Sequence, residues 1–365
     1  MNNRIEISDF ISKLQEIDYA TIIRIATPLV LLYTSKRVTS TIISNRKLRK
    51  DFKLKGVKTA SLPIEVQRKY DDIDEEAILK KEFGNLILDF AKTVKEKIPE
   101  ANLSTFLNNI NTLKTTTQNY SLENKVLNNH IQGEYISETN TISLSKKNFS
   151  LTIYHELFHA ISTIYDKASE TAYCGFNQII KKKESIGNGL NEGYTQLLSV
   201  RYFGDRKIMT NAYIYEQRIA SIIEKIVGKE KMRSLYFSSN LIGLMNELTK
   251  YSSEEEVHDF ITSLDFVNDH MGDKYITPSS KQIITNNLKY INKFLVKTYL
   301  QKNLFNSNNT EIPFSNIEEI LTLLPSKVST KIRNYKIFDA DEIAKIFAEI
   351  ITEHTNKNTQ SENKK

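Results

Sequence analysis

Two histidines four residues apart are the residues of this sequence whose spacing most clearly indicates chemistry. They belong to the run His155-Glu156-Leu157-Phe158-His159, which contains no glycine or proline. Side chains four apart on a helix project from the same face, so both imidazoles can bind one Zn²⁺ at about 2.0–2.1 Å. Glu156 lies beside them and can reach a water bound to the metal, where it would act as a general base in hydrolysis. The run therefore predicts a zinc-binding helix.

The residues around this run favour a buried helix. Ile153, Leu157, Ile161 and Ile164 keep helical spacing and should bury the face opposite the two histidines. Ser150 precedes them and is a suitable N-cap. The alternative interpretation is a chance pentapeptide on a buried helix, but the chain has only six histidines. The helical, apolar setting is the one that this metal chemistry requires.

A catalytic zinc takes three protein ligands and leaves its fourth position for water. A third histidine in the metzincin arrangement is excluded, because Ser162 and Tyr165 stand where that pattern needs Gly and His. The remaining candidates are the downstream acids Glu170, Glu184, Glu192 and Glu216. We favour Glu192, which stands in the first turn of an apolar helix predicted over 190–204, behind a glycine-rich approach. The alternative is that Glu192 only complements the helix dipole.

The pattern His155-Glu156-x-x-His159 followed by Asn191-Glu192-x-x-Thr195 resembles the gluzincin metallopeptidases, the thermolysin-like group. The resemblance covers about residues 130–250. It implies a zincin fold, in which an edge-stranded sheet precedes the metal helix and the ligand helix follows it. It also implies a Zn²⁺ cofactor, the metal ligands His155, His159 and Glu192, and hydrolysis of peptide bonds.

Gln196 departs from the gluzincin pattern, which has Asp at this position. That Asp orients a ligand histidine from outside the metal's own ligand set. An amide can accept the same hydrogen bond, but it raises the basicity of the histidine less than a carboxylate does. We therefore expect lower metal affinity, or another acid in this role.

Hydrolysis also needs a donor to the developing oxyanion. Similar enzymes use a Tyr or His downstream of the third ligand. The choice stays open among Tyr194, Tyr202, Tyr213, Tyr215 and His258. We name Tyr213 as the catalytic candidate, and the alternative for each of these residues is a core aromatic on a helix.

Composition limits the other classes of function. Lys and Arg number 50 against 44 Asp and Glu, and a net charge of +6 is too mild to indicate nucleic-acid binding. Cys174 is the only cysteine, so no internal disulfide can form, and we expect a buried thiol and a cytoplasmic location. We expect no secretory signal. The apolar stretch 19–33 is broken by Arg24 and Pro28 and is shorter than the roughly 20 residues of a membrane span.

The predicted fold class is α+β and mostly helical, a zincin-like core with a small β-hairpin beside the metal helix. The hairpin pairs 134–137 with 141–144 around the turn 138–140, and its edge could bind an extended peptide by strand addition. Residues 166–190 contain a loop-like run at 173–176, and no helix or strand is predicted there. Helices are predicted over 75–97, 190–204, 213–250 with a break at Gly228, 254–264, 279–304, 316–324 and 340–354.

These elements suggest four regions along the chain: a helical N-terminal region 1–115, a zincin-like catalytic domain 116–250, a helical C-terminal region 251–354 and a disordered tail 355–365.

The leading hypothesis is a zinc metallopeptidase acting on a peptide or protein. One alternative is a catalytically inactive zincin-like binding module. Another is a membrane- or nucleic-acid-associated protein acting through the basic segment 36–58, with membrane contact through 19–58. For that segment we favour a solvated helix face. The oligomeric state is left open.

Overall fold

A computed structural model describes about two thirds of the chain. The described residues are 66–118, 133–145, 149–180, 184–206, 212–271, 278–306, 314–324, 327–329, 334–337, 342, 345–350 and 352. The apolar stretch 19–33, the basic segment 36–58 and the tail 355–365 lie outside them. Where the chain is described, it is α+β and mostly helical, as predicted. None of the described helices is both long and apolar enough to cross a membrane.

The described chain divides into two compact units. One contains the described residues up to Lys250 together with Leu264–Asp269, and the other contains Tyr251–Ser263 and the described residues from His270 onward. All of the residues predicted to bind metal lie in the first of these units.

A three-stranded sheet in the first unit confirms the predicted hairpin. Its strands are β1, Lys114–Gln118, β2, Gly133–Ile136, and β3, Thr141–Ser145. They are ordered β1-β3-β2, with β2 antiparallel and β1 parallel to β3. The turn between β2 and β3 uses Asn140 at φ 48°, a left-handed conformation that asparagine tolerates better than most residues. Strand β2 therefore lies at an edge of the described sheet.

The helices before this sheet differ from the single helix predicted over 75–97. The chain forms α1, Glu75–Leu79, and α2, Gly84–Lys95, and then α3, Leu103–Thr112. Phe83 at φ 64° separates the first two helices. A side chain on Gly84 would approach the Ile78 carbonyl oxygen to 2.5 Å, so α1 and α2 meet in a turn that only glycine permits. The apolar spacing runs through this break because both helices face the same core.

The predicted metal helix is α4, Phe149–Ile161. Ile153, Leu157 and Ile161 are buried, as expected. Ser150 lies inside the helix, so its assignment as N-cap was wrong, and Ile164 belongs to the following strand. Asn109 of α3 donates to the carbonyl oxygens of Ala160 and Thr163 at 2.7 Å each. This amide satisfies backbone acceptors at the end of α4, where no intrahelical donor is available.

Aromatic packing fixes one side of α4. The Phe158 ring meets Phe90 of α2 edge-on, with centroids 4.9 Å apart. Tyr154 stacks on Phe203 with centroids 4.2 Å apart and planes inclined by 6°. The Asp89 carboxylate accepts a hydrogen bond from the Tyr154 hydroxyl at 3.1 Å and pairs with Arg206. These contacts hold the metal helix against α2 and against the helix that follows the second sheet.

The segment 166–190, in which no strand was predicted, contains most of a four-stranded antiparallel sheet. Its strands are β4, Thr163–Asp166, β5, Thr171–Cys174, β6, Asn177–Ile180, and β7, Glu184–Ile186, paired in that order. The strands are three or four residues long, too short for an alternating pattern to stand out in sequence. Gly175 at φ 56° makes the turn between β5 and β6, where the sequence had suggested a loop.

Four helices complete the first unit. They are α5, Asn188–Phe203, α6, Ile214–Val227, α7, Lys229–Phe237, and α8, Leu241–Leu248. Helix α5 is the predicted helix 190–204 and ends at Gly204, and Gly228 separates α6 from α7, as predicted. Close packing of α5 on α6 depends on Gly193, where a side chain would approach the Glu216 carbonyl oxygen to 2.3 Å.

The remaining elements are α9, Glu254–His270, α10, Pro278–Asn306, α11, Phe314–Leu323, and the hairpin β8, Lys327–Ser329, with β9, Asn334–Lys336. Residues 345–350 are helical, within the predicted 340–354. The predicted C-terminal helices are confirmed, and the short hairpin was not predicted. In the second unit, Phe260 stacks on Phe294 with centroids 4.4 Å apart, which joins α9 to α10.

Candidate metal centre

Three side chains of the first unit bring their donor atoms together. His155 Nε2 lies 3.0 Å from His159 Nε2 and 3.0 Å from Glu192 Oε2. His159 Nε2 lies 3.5 Å from Glu192 Oε1. Helix α4 supplies both imidazoles from one face, and α5 supplies the carboxylate. Within the described chain, this is the group of histidine, cysteine and acidic side chains whose geometry could hold a metal ion.

The spacing of the three donors fits a small tetrahedral cation. Ligand bonds of about 2.0–2.1 Å at tetrahedral angles separate neighbouring donors by about 3.3 Å. The three measured separations run from 3.0 to 3.5 Å. Two imidazole nitrogens and one carboxylate are also a donor set that catalytic zinc sites use. The residues present therefore fit Zn²⁺, and all three donors are largely shielded from solvent.

Helix α5 begins at Asn188, two residues before the predicted start, which corrects the setting of Glu192. Its first turn contains no acidic residue, so Glu192 lies in the second turn. An acid there gains little from the helix dipole, whose effect is confined to the first turn. The convergence with His155 and His159 is therefore the physical account of this carboxylate.

Glu156 is buried beside the two histidines, under the first residue of the edge strand. A methyl group on Gly133 of β2 would lie 3.0 Å from Glu156 Cγ. Burial raises the pKa of Glu156, while the two imidazoles lower it and Glu192 raises it again. A buried carboxyl beside metal-binding side chains is the arrangement that a general base needs.

His155 is oriented by Gln196, one turn beyond Glu192 on α5. His155 Nδ1 lies 3.0 Å from Gln196 Oε1, and both side chains are buried. The amide oxygen is the only acceptor in that group, so His155 donates from Nδ1 and leaves Nε2 free for a metal. Gln196 thus occupies the position that the sequence pattern assigned to an Asp.

His159 is held from the second sheet and from α5. Its Nδ1 lies 3.2 Å from the Asn191 side-chain nitrogen and 3.6 Å from Cys174 Sγ. The other end of the Asn191 amide accepts from the Phe176 backbone N–H at 3.0 Å. A side chain on Gly175 would approach Asn191 Oδ1 to 2.3 Å, so glycine is required at this turn. The thiol of Cys174 is buried, as predicted.

The charges of the site reinforce one another. Burial opposes ionisation of Glu192, but the two histidines outweigh it and hold its pKa well below the usual range. Burial likewise opposes the cationic form of His159, yet Glu192 raises its pKa well above the ordinary value. The carboxylate therefore stays ionised, and it attracts positive charge to the point between the imidazoles. A metal cation would satisfy that attraction.

Among the oxyanion candidates, Tyr213 lies at the site. Its ring stacks on His155 with centroids 5.5 Å apart and planes inclined by 17°. Tyr213 precedes α6 at φ 49° and is 40% exposed. The charge of Glu192 chiefly raises its pKa, so the phenol remains protonated and can donate a hydrogen bond. The left-handed backbone at this position is one that sequence reasoning did not anticipate.

The other candidates for the oxyanion donor make contacts that indicate structural roles. Tyr194 is fully buried and donates to Glu224 Oε1 at 3.1 Å. Tyr215 is buried, and burial raises its pKa. Tyr202 faces the Phe158 ring at 6.2 Å. His258 belongs to the other unit, where its Nδ1 lies 3.7 Å from Asp259.

Two further interactions position the ligand helix, and sequence reasoning missed both. Asp265 accepts from the backbone N–H groups of Gly187 and Gly189 at 2.7 and 2.9 Å, which caps the start of α5. Arg201 of α5 and Glu224 of α6 form a two-pronged ion pair, with Nη1 to Oε1 at 2.8 Å and Nη2 to Oε2 at 2.5 Å. No local signal could reveal them, because each partner comes from a distant segment.

Comparison of the chain with protein-family models, with curated proteins and with solved structures found no match. The functional argument therefore depends on the residues of the site.

Proposed function

We propose that this protein is a zinc-dependent peptidase with a zincin-like core. The observation that carries the proposal is the convergence of His155, His159 and Glu192 with donor separations of 3.0–3.5 Å. Glu156 supports the enzymatic interpretation, because a purely structural zinc site needs no buried carboxyl beside its ligands. The order of sheet, His155–His159 helix and Glu192 helix along the chain supports the zincin-like part of the proposal.

His155, His159 and Glu192 would hold the metal, and Gln196 Oε1 and Cys174 Sγ would accept from the Nδ1 atoms of the two imidazoles and fix their orientations. Zinc bound there supplies a Lewis acid that polarises the scissile carbonyl and lowers the pKa of water. Glu156 accepts a proton from the attacking water on its carboxylate and passes it to the leaving amine nitrogen. The raised pKa of Glu156 suits both halves of this transfer.

Tyr213 would donate its phenolic hydrogen to the carbonyl oxygen as negative charge develops there. Its stacking on His155 keeps the ring over the metal ligands, and its raised pKa keeps the hydrogen on the phenol. A donor aimed at the developing charge stabilises the transition state more than the ground state. Tyr213→Phe should therefore lower kcat more than it changes KM.

The substrate would be a peptide or protein in an extended conformation along β2. This strand lies at the edge of the described sheet and packs on α4. Its first residue, Gly133, lies directly over Glu156. A peptide that adds to this edge places a backbone carbonyl beside the general base, because strand addition fixes the register of the bound chain.

Zinc content and peptide cleavage, measured on the same purified variants, test the proposal. Glu156→Gln should retain about one zinc per chain and lose hydrolysis by at least about 100-fold. Glu192→Ala should lose zinc affinity and activity together. Glu170→Gln, an exposed acid in the β4–β5 turn, is the matched control and should change neither.

The outcomes separate the proposal from its rival. Zinc bound by wild type without cleavage of any peptide in a diverse library would favour the inactive binding module. Normal zinc content and activity in Glu192→Ala would remove Glu192 from the site. Loss of activity in Glu156→Gln with zinc retained is the pattern that only an enzyme produces.

A further inference from the structure

The exposed acid Glu134 on the edge strand gives the proposed site a charge preference. Glu134 directly follows Gly133, the residue over Glu156. It is solvent-exposed, while its neighbours on β2 are partly covered. In the described part of the chain, no lysine or arginine forms an ion pair with its carboxylate. Its negative charge is therefore free to act on whatever binds along β2.

The pleat of the sheet determines which face Glu134 occupies. Successive side chains of a strand point to opposite faces. Gly133 faces α4, since a side chain there would meet Thr152 and Glu156 of that helix. Glu134 therefore stands on the opposite face, where its partner in β3 is Ser143. Among the described residues no strand pairs with the outer side of β2, and an added strand would lie there.

A strand added to this edge would place one side chain directly across from Glu134. Cross-strand neighbours on one face have Cβ atoms about 4.5–5.5 Å apart, and opposite charges at such positions attract. The cross-strand neighbour of Glu134 also lies close to the scissile bond, because the preceding residue of β2, Gly133, covers Glu156.

We propose that Glu134 selects peptides that carry a lysine or arginine within one or two residues of the scissile bond. This inference rests on the proposed peptidase function, because it takes the β2 edge as the place where substrate lies. A single exposed cross-strand charge pair is worth about a threefold to fivefold preference. Glu134 thus acts as a specificity-determining residue and takes no part in the proton transfer.

Peptide binding to the zinc-loaded Glu156→Gln protein tests this preference without relying on turnover. A fluorescent ten-residue peptide carries lysine at one position at a time, and norleucine is the neutral reference. We expect one position at which lysine tightens binding by about three- to fivefold, measured by anisotropy. Adding Glu134→Gln should abolish that difference, and adding Glu134→Lys should reverse it in favour of a glutamate peptide. Glu138→Gln, in the turn of the same hairpin, is the control and should preserve it.

Equal binding of lysine and norleucine peptides at every position would overturn the proposal. So would a lysine preference that survives in Glu134→Gln. Cleavage by the wild-type protein is measured separately. Cleavage without a charge preference would remove the role of Glu134 and leave the peptidase function intact. Glu134-dependent binding without cleavage would keep the role of Glu134 in binding and remove the peptidase function.

Discussion

Replacing Gln196 by glutamate tests how the environment of His155 sets metal affinity. The two side chains have the same shape, and the Gln196 amide oxygen already lies 3.0 Å from His155 Nδ1. The substitution therefore adds a charge and leaves the geometry unchanged. Glutamate would raise the basicity of His155 in the way that the gluzincin Asp is expected to do.

The size of the effect follows from the distances. The new carboxylate would lie about 7 Å from a dication shared by the three ligands. This distance adds the 3.0 Å contact to His155 Nδ1, the width of the imidazole ring and one zinc–nitrogen bond. With an effective dielectric constant of about 20, their attraction is about 5 kcal/mol, and repulsion by Glu192 removes about 2 kcal/mol. Burial of the new carboxylate offsets part of the remainder. We expect the zinc dissociation constant to fall by about 10- to 100-fold.

Competition with a chromophoric chelator measures this constant, and thermal unfolding of the zinc-free protein measures the cost of the added charge. The zinc-free variant should melt below wild type, because the carboxylate then lacks its counter-charge. Gln196→Leu is the opposite perturbation: it leaves His155 Nδ1 without an acceptor and should weaken zinc by about tenfold. Zinc constants within about twofold of wild type for both variants would refute the reasoning.

Three further substitutions test the packing around the site. Burial raises the pKa of Asp265 to about 7, above an unfolded value of about 3.9. Its stabilising contribution is complete below about pH 4 and is lost as the pH rises through about 7. Asp265→Asn should flatten the dependence of the melting temperature on pH over that range. The same pH dependence in the variant as in wild type would contradict the raised pKa of Asp265. Gly175→Ala should cost about 2 kcal/mol or more in urea unfolding and loosen zinc, because its methyl group collides with Asn191. Arg201→Met should cost about 3 kcal/mol by leaving Glu224 buried and unpaired, and adding Glu224→Leu should recover most of that loss.

The local parts of the site could be predicted from sequence. The spacing of His155 and His159 determines that they share a helix face, because four residues make about one turn. The hairpin around Asn140 has alternation on both sides and a turn residue that accepts positive φ. The helix carrying Glu192 has a long apolar pattern and ends at Gly204. These features depend on neighbours within a few residues, so a linear pattern encodes them.

Other parts of the fold could not be predicted in this way. The strands β4–β7 were not predicted, because strands of three or four residues carry too few positions for a periodic signal. The helix predicted over 75–97 is broken at Phe83, although its apolar spacing continues. In both cases packing against the rest of the core decides the backbone, and that packing is a long-range property.

The sequence alone determined which residue types could bind zinc and which of them share a helix face. Tertiary structure decided that the carboxylate of Glu192 meets the imidazoles, that Gln196 and Cys174 lie at their Nδ1 atoms, and that Gly133 brings a sheet edge over Glu156. The physical reason is the range of the interactions. Helical periodicity acts over four residues, whereas the contacts between α4 and α5 span more than thirty positions and exist only when the core between them is packed.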